Sequence, residues 1–253
     1  MTSSFKLLQT LFRQRSTSVH KIFGLQIVAL IVTVVILFFK QHFEADYPAG
    51  FASGYGVVAA FVLFFSLLVK NEDVWKNSVY RLLPISNTKL YIANFFSSLL
   101  SFIYFLVLEL ILFSICTLTD LEDFSWHIPS HALGYVSSGL ALFLTILLAS
   151  WTFISMVHLL GDVISKFLPD TSQKLVRLVL YILVFVLVSN ILSTIGAKVG
   201  DLFTPLFQLQ INGTSEMDQI ITPLFFSSGI LLLWSFLYSV VNIYLLSHWT
   251  EVR

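Results

Sequence analysis

The sequence predicts an all-α, polytopic membrane protein with six transmembrane helices and an amphipathic helix at the N-terminus that lies in the membrane interface. Three observations carry this. Hydrophobic residues make up 57% of the 253 residues and charged residues only 11%, where a soluble domain carries about 25% charged residues. The mean hydropathy is +0.88. Six apolar runs are each long enough to cross a hydrocarbon core of about 30 Å at about 1.5 Å of rise per residue. The spans are expected near residues 22–39, 51–69, 91–117, 133–160, 175–195 and 220–246. Spans and short connections consume the chain, so residues 1–253 are read as one transmembrane domain.

The elements follow in order. In residues 1–20, Phe5, Leu8, Leu11 and Phe12 fall on one helical face and Lys6, Gln9 and Arg13 on the other, with Ser3 or Ser4 as N-cap. This reads as an interfacial helix with basic residues toward lipid headgroups; the alternative is an ordinary basic flank of the first span. The first apolar run is too long for the core of a cleavable signal, and no A-x-A-like site follows it. The third and fourth runs exceed the bilayer thickness and should tilt or protrude. The six prolines fall in loops or in a first helical turn, so the spans are expected to be unbroken. The connection 196–219 is long and carries Leu202, Phe203, Leu206, Phe207, Leu209 and Ile211 around Pro205. It is expected to fold back as a re-entrant segment, the alternative being an extended fifth span.

Orientation follows from Lys and Arg. Of the 14 such residues, six spans place all but Lys40 and Lys198 on one side. The positive-inside rule makes that side cytoplasmic, together with both termini. The zero net charge therefore conceals segregated signs: the opposite loops are acidic.

Little in the spans carries chemistry. No phosphate-binding loop, H-E-x-x-H, G-x-S-x-G or cysteine–histidine cluster is present, so no catalytic residue, metal site or cofactor is expected in the chain. His127 and His131 are read as solvated loop histidines before metal ligands. Cys116, the one cysteine, is read as a packing residue. Glu109 is the one carboxylate inside a span, about eight residues or roughly 12 Å from the end of the third run. Such a group faces the bundle interior, paired or protonated. Either it lines a substrate route, together with Asn190, or it is a neutral packing residue. Asn190 and Asn242 otherwise read as interhelical hydrogen-bond donors. The small-xxx-small pairs Gly50/Gly54 and Gly196/Gly200 lie at span ends, where they are weak signals for helix association.

One stretch mixes dense charge with an apolar pattern. In residues 71–90, Val74, Trp75, Val79, Leu82 and Leu83 recur at helical spacing among Glu72, Asp73, Lys76 and Arg81. Pro84 stops that helix, and Ser86 or Asn87 caps the next. The plain reading is a membrane-surface loop. The run Arg81-Leu82-Leu83-Pro84-Ile85-Ser86-Asn87-Thr88-Lys89-Leu90-Tyr91 is similar to the "LPxS…(K/R)…Y/L" stretch between spans two and three of ABC-2 type permeases, which have the type V exporter fold. The amphipathic N-terminus, six spans, cytoplasmic termini and apolar last external loop match that architecture.

The resemblance implies a permease subunit in the cell membrane, a bacterial plasma membrane, exporting a drug, peptide or lipid. It implies that residues 71–90 form a coupling helix docked on a separate ATPase subunit, with Glu72, Asp73, Trp75, Lys76, Arg81, Leu82, Leu83 and Pro84 at the contact. ATP and Mg would sit on that partner, and a second permease chain, identical or not, would complete the route. Membrane lipids are the other partner; nucleic acid is not expected. The chain lacks a fused nucleotide-binding domain and a large external domain. A different class stays open: a membrane-embedded ligand-binding or immunity protein with no export cycle.

Overall fold

A computed structural model of the chain describes residues 4–40, 47–76, 85–117, 132–165, 179–190, 193–194, 196–198 and 218–248. Among them there is no strand. The helices are α1 (Ser4–Phe39), α2 (Tyr47–Lys76), α3 (Asn87–Thr117), α4 (Ala132–Ser165), α5 (Val179–Asn190) and α6 (Asp218–His248). All but α5 are long and apolar enough to cross a membrane, the pattern of a multi-pass membrane protein. Of the expected span 175–195, the described part is the shorter apolar helix α5 and a few residues after it. The helices divide between two compact units, Met1–His127 and Ile128–Arg253.

In the first unit, α1, α2 and α3 pack pairwise. The expected interfacial helix and first span are not separate: α1 runs through both, 36 residues without interruption. Composition changes near residue 21, but nothing there breaks a helix. Ser16 and Thr17 donate their hydroxyls to the Arg13 carbonyl, one turn back, at 2.9 and 3.4 Å, which keeps them compatible with helix. Leu7, Leu11, Arg15, Val19, Gln26 and Leu30 form a single buried stripe at the spacing of one helical face. Leu25, Val28, Ile31, Val32 and Val35 are exposed on the remainder, as a lipid-facing surface requires.

Helix α2 also outruns its expected span, continuing through Asn71 and Trp75 to Lys76. Its buried stripe is Ala52, Ala59, Leu63, Leu67, Asn71 and Trp75. Helix α3 starts as the sequence suggests, and Ser86 is the cap. Its carbonyl accepts from the Leu90 N–H at 3.0 Å and its hydroxyl accepts from the Lys89 N–H at 3.4 Å, the N-cap arrangement. Near the far ends of the three helices, Leu30, Ala52 and Cys116 form a core with Val34, Tyr55 and Leu112 packed on it, so the thiol fills space.

In the second unit, α4 packs along α6. Asn242, fully buried, donates to the Thr152 carbonyl at 3.0 Å, the interhelical role expected of it. Phe153 meets both Phe185 of α5 and Tyr238 of α6, with ring centroids 5.6 and 5.7 Å apart. Pro223 lies in the second turn of α6, not the first. It removes a single N–H donor close to the start, and the helix runs on unbroken.

Candidate functional site

Two polar layers cross the first unit. The first is built around Arg15. Its place in the α1 stripe, four residues from both Leu11 and Val19, turns its guanidinium inward, and it is 2% exposed. One terminal nitrogen donates to the Asn94 carbonyl. The other donates to Asn71 Oδ1 at 2.9 Å and to Asn94 Oδ1. Asn94 returns a bond from Nδ2 to the Asn71 carbonyl at 3.1 Å, and Ser98 donates to Asn71 Oδ1 at 2.7 Å. Arg15, Asn71 and Asn94 each lie about two dozen residues, roughly 36 Å, from the far ends of α1, α2 and α3. They therefore meet at one level of an up–down–up bundle. Asn94, Ser97, Ser98 and Ser101 are all buried. Their short side chains let α3 approach its neighbours closely. Nearby, the Lys70 ammonium donates to Ser18 Oγ.

The connection expected to meet a partner springs from this layer. Trp75 is 6% exposed and stacks on Tyr91 with ring centroids 5.7 Å apart and planes 21° apart. The two rings tie the last turn of α2 to the start of the second turn of α3. Val74 and Glu72 are buried as well. Trp75 and Val74 are thus packed inside the chain, and Glu72, expected at the contact, is buried beside them. Asp73 is exposed, and α2 ends at Lys76. Arg81, Leu82, Leu83 and Pro84 lie outside the described residues.

The second layer is Gln26, Gly56 and Glu109. Gln26 Nε2 donates to Glu109 Oε2 at 2.9 Å. Gln26 is 5% exposed, and Glu109 is half-buried. A Cβ at Gly56 would stand 2.7 Å from Glu109 Oε2, so the carboxyl occupies space that only glycine leaves open on α2. Gln26 Oε1 and Glu109 Oε1 are shut off from solvent and have no hydrogen-bond partner among the described residues. Between the layers, His20 Nε2 and Tyr104 Oη share a 2.9 Å hydrogen bond.

The chain matches no family model, no curated protein and no solved structure.

The other expected residues distribute as follows. Asn190, offered with Glu109 as part of a route, belongs to the second unit. It is exposed and donates to its own helix at the Val186 carbonyl, 2.8 Å away. Gly50 and Gly54 have nothing within 4 Å of an added Cβ, and the same holds for Gly196; Gly200, His127, His131 and nearly all of connection 196–219 lie outside the described residues. Among the described residues no group of three His, Cys, Asp or Glu could hold a metal.

The sequence reading passed over one cluster in the second unit. The Tyr181 hydroxyl donates to Asp162 Oδ1 at 2.7 Å, and its ring stacks on His158 with centroids 5.6 Å apart. The same ring lies directly against Gly161. In the first unit, Arg15, Gln26, Gly56, Asn71 and Asn94 were passed over too. A signal existed for some. Asn94, Ser97, Ser98 and Ser101 repeat at helical spacing inside an apolar run, and Arg15 sits in phase with Leu11 and Val19.

Proposed function

We propose that the chain is the transmembrane permease subunit of an ATP-driven ABC exporter of the ABC-2 type, with both termini cytoplasmic and six spans. A separate ATPase subunit binds ATP and Mg, and a second permease chain pairs with this one around the route for a drug, peptide or lipid. The chain itself does no covalent chemistry. Its work is conformational.

One observation carries the reading. The connection between α2 and α3 leaves from fixed ends. The Trp75–Tyr91 stack and the Arg15–Asn71–Asn94 hydrogen bonds join α1, α2 and α3 at its base. A force applied to residues 77–84 is therefore delivered to three helices together, as a coupling element requires. With Trp75 and Glu72 turned inward, the contact with the ATPase falls to Arg81, Leu82 and Leu83, with Asp73 and Lys76 at its margin.

The test is co-purification of an ATPase with the tagged chain, and transport, for Leu83→Asp, Arg81→Ala and Trp75→Ala in parallel. Losing a buried interface anchor costs about 2 kcal/mol or more, roughly thirtyfold in affinity, and a rim charge costs less. Leu83→Asp should release the ATPase while the chain still inserts, and Arg81→Ala should weaken it slightly. Trp75→Ala should lower the stability of the chain itself. If Leu83→Asp and Arg81→Ala both retain ATPase and transport, the connection is only a membrane-surface loop. If no ATPase co-purifies with the native chain, a ligand-binding or immunity role replaces this one. Cysteines at Asn87 and Ser125 test orientation: an impermeant thiol reagent outside intact cells should label Ser125→Cys and spare Asn87→Cys.

A further inference from the structure

We propose that Glu109, paired with Gln26 between α1 and α3, is an exchangeable proton-binding site within the membrane-spanning part of the chain. The inference is independent of any ATPase, and it would stand if the permease reading failed.

The hydrogen-bond inventory points to it. A Gln–Glu pair with an ionised carboxylate has one kind of donor, the amide Nε2, and three acceptor oxygens. Nε2 serves Glu109 Oε2 at 2.9 Å. That leaves Gln26 Oε1 and Glu109 Oε1 as acceptors, closed to solvent and without a partner among the described residues. Two orphaned acceptors on adjoining side chains lack a donor between them. The space is too confined for an organic cation: neither oxygen is reachable from solvent, and even a Cβ at Gly56 would crowd the carboxyl. A proton needs no cavity.

Among the described residues no fixed positive charge takes its place. Gln26 is the only hydrogen-bond partner that the described residues give Glu109. The nearest titratable residues along α1 are His20, bonded to Tyr104, and Lys21. On α2 it is Tyr55, whose hydroxyl is engaged with Thr33 at 2.8 Å. On α3 they are Tyr104 and Cys116. Lys70 is held at Ser18, in the other layer. An ionised carboxylate without a counter-charge in an apolar span is costly.

Gln26 fits both states of the site. With Glu109 ionised, the amide nitrogen donates to it in the arrangement of the 2.9 Å bond. When Glu109 takes up one proton from water or hydronium, the carboxyl becomes a donor. A half-turn of the terminal amide then breaks the Nε2 bond to Glu109 and presents Gln26 Oε1 to accept the carboxyl proton, so one hydrogen bond joins the pair in either state. Amide rotation about the terminal torsion is a low-barrier, two-fold motion. Gly56 leaves no side chain in its way. Glu109 as a residue is half-buried while Gln26 is enclosed, so Glu109 is the member of the pair nearer the surface of the unit, and exchange needs a transient opening at its carboxyl.

The test is pH-difference infrared spectroscopy of the purified full chain in lipid, in H2O and D2O, following the carbonyl stretch of protonated carboxyls. The expected result is a band at the high-frequency, weakly hydrogen-bonded end that grows on acidification and shifts in D2O. It should vanish in Glu109→Gln, persist in Glu109→Asp and Glu72→Gln, and move in Gln26→Leu, which removes the amide partner. A band of constant intensity at every pH makes Glu109 a permanently neutral packing residue and overturns the proposal. So does a titrating band that survives in Glu109→Gln or is lost in Glu72→Gln. An unmoved band in Gln26→Leu overturns the role of the pair.

Discussion

The same three helices carry two polar layers that are satisfied to different degrees. Around Arg15, the side-chain oxygens of Asn71 and Asn94, the Asn94 amide nitrogen and the Ser98 hydroxyl each meet a donor or acceptor on a neighbouring helix. Around Glu109, one hydrogen bond is made and two acceptor oxygens are left over among the described residues. Interhelical hydrogen bonds in membranes are individually modest, averaging about 0.6 kcal/mol, so a saturated network matters as an assembly that fixes register. An unsaturated pair is a poor staple. It is retained where its vacancy is used, and that is why the second layer, not the first, draws the proton-binding proposal.

Substitutions can break this contrast. The largest expected effect is Arg15→Met. It removes three interhelical hydrogen bonds at once, leaving Asn94 Oδ1 without a donor while Ser98 still serves Asn71 Oδ1 and Ser97 the Asn94 carbonyl, and should destabilise the chain by about 3 kcal/mol, the upper end for a buried unsatisfied group. The thermal midpoint of the detergent-solubilised chain measures it, and Arg15→Lys should recover only part, because an ammonium lacks the planar fork. Asn94→Ala should cost about 2 kcal/mol by the same assay, for it removes bonds to two helices.

Gly56→Ala sharpens the comparison. Its methyl group meets Glu109 Oε2 at 2.7 Å, the end of a flexible side chain that can swing aside, so the expected cost is at the low end of overpacking, about 1 kcal/mol, with the bond to Gln26 disturbed. Gly54→Ala, two residues away with nothing within 4 Å, should change stability by less than about 0.5 kcal/mol. Equal effects at the two glycines would mean that Glu109 does not stand where described. The smallest effect is expected for Glu109→Gln: near-native stability, within about 0.5 kcal/mol, with the infrared band gone. Function and stability should separate in the second layer and not in the first.

The sequence was most informative where composition alone decides. The start of α3 near Ser86, and the positions of α4 and α6, follow from long apolar runs and a capping residue. It was misleading at α1, where an amphipathic segment and an apolar one differ in composition yet share one helix. A change of environment is not a helix break. Glu109 was legible as a lone carboxylate in a span. Its partners were not, because Gln26, Gly56 and Glu109 meet only once the register of three helices is set. The packing of Trp75 was hidden for the same reason. Its apolar, charge-flanked setting suits a partner's groove equally well, and only the position of Tyr91 across the connection shows that the ring is already occupied.

The continuity of α1 has a mechanical consequence. Arg15 pins it about 11 residues from Ser4 and about 11 residues from Gln26. A stiff rod fixed at that point has a short N-terminal arm of roughly 16 Å and a longer arm on which Gln26 lies at about the same distance, roughly 16 Å, from the fixed point. Sideways load on the N-terminal arm is then returned at Gln26 in the opposite direction and at similar amplitude. Whatever seizes the first turns of the chain, whether headgroups or a fused tag, thereby acts as a torque on the amide that faces Glu109.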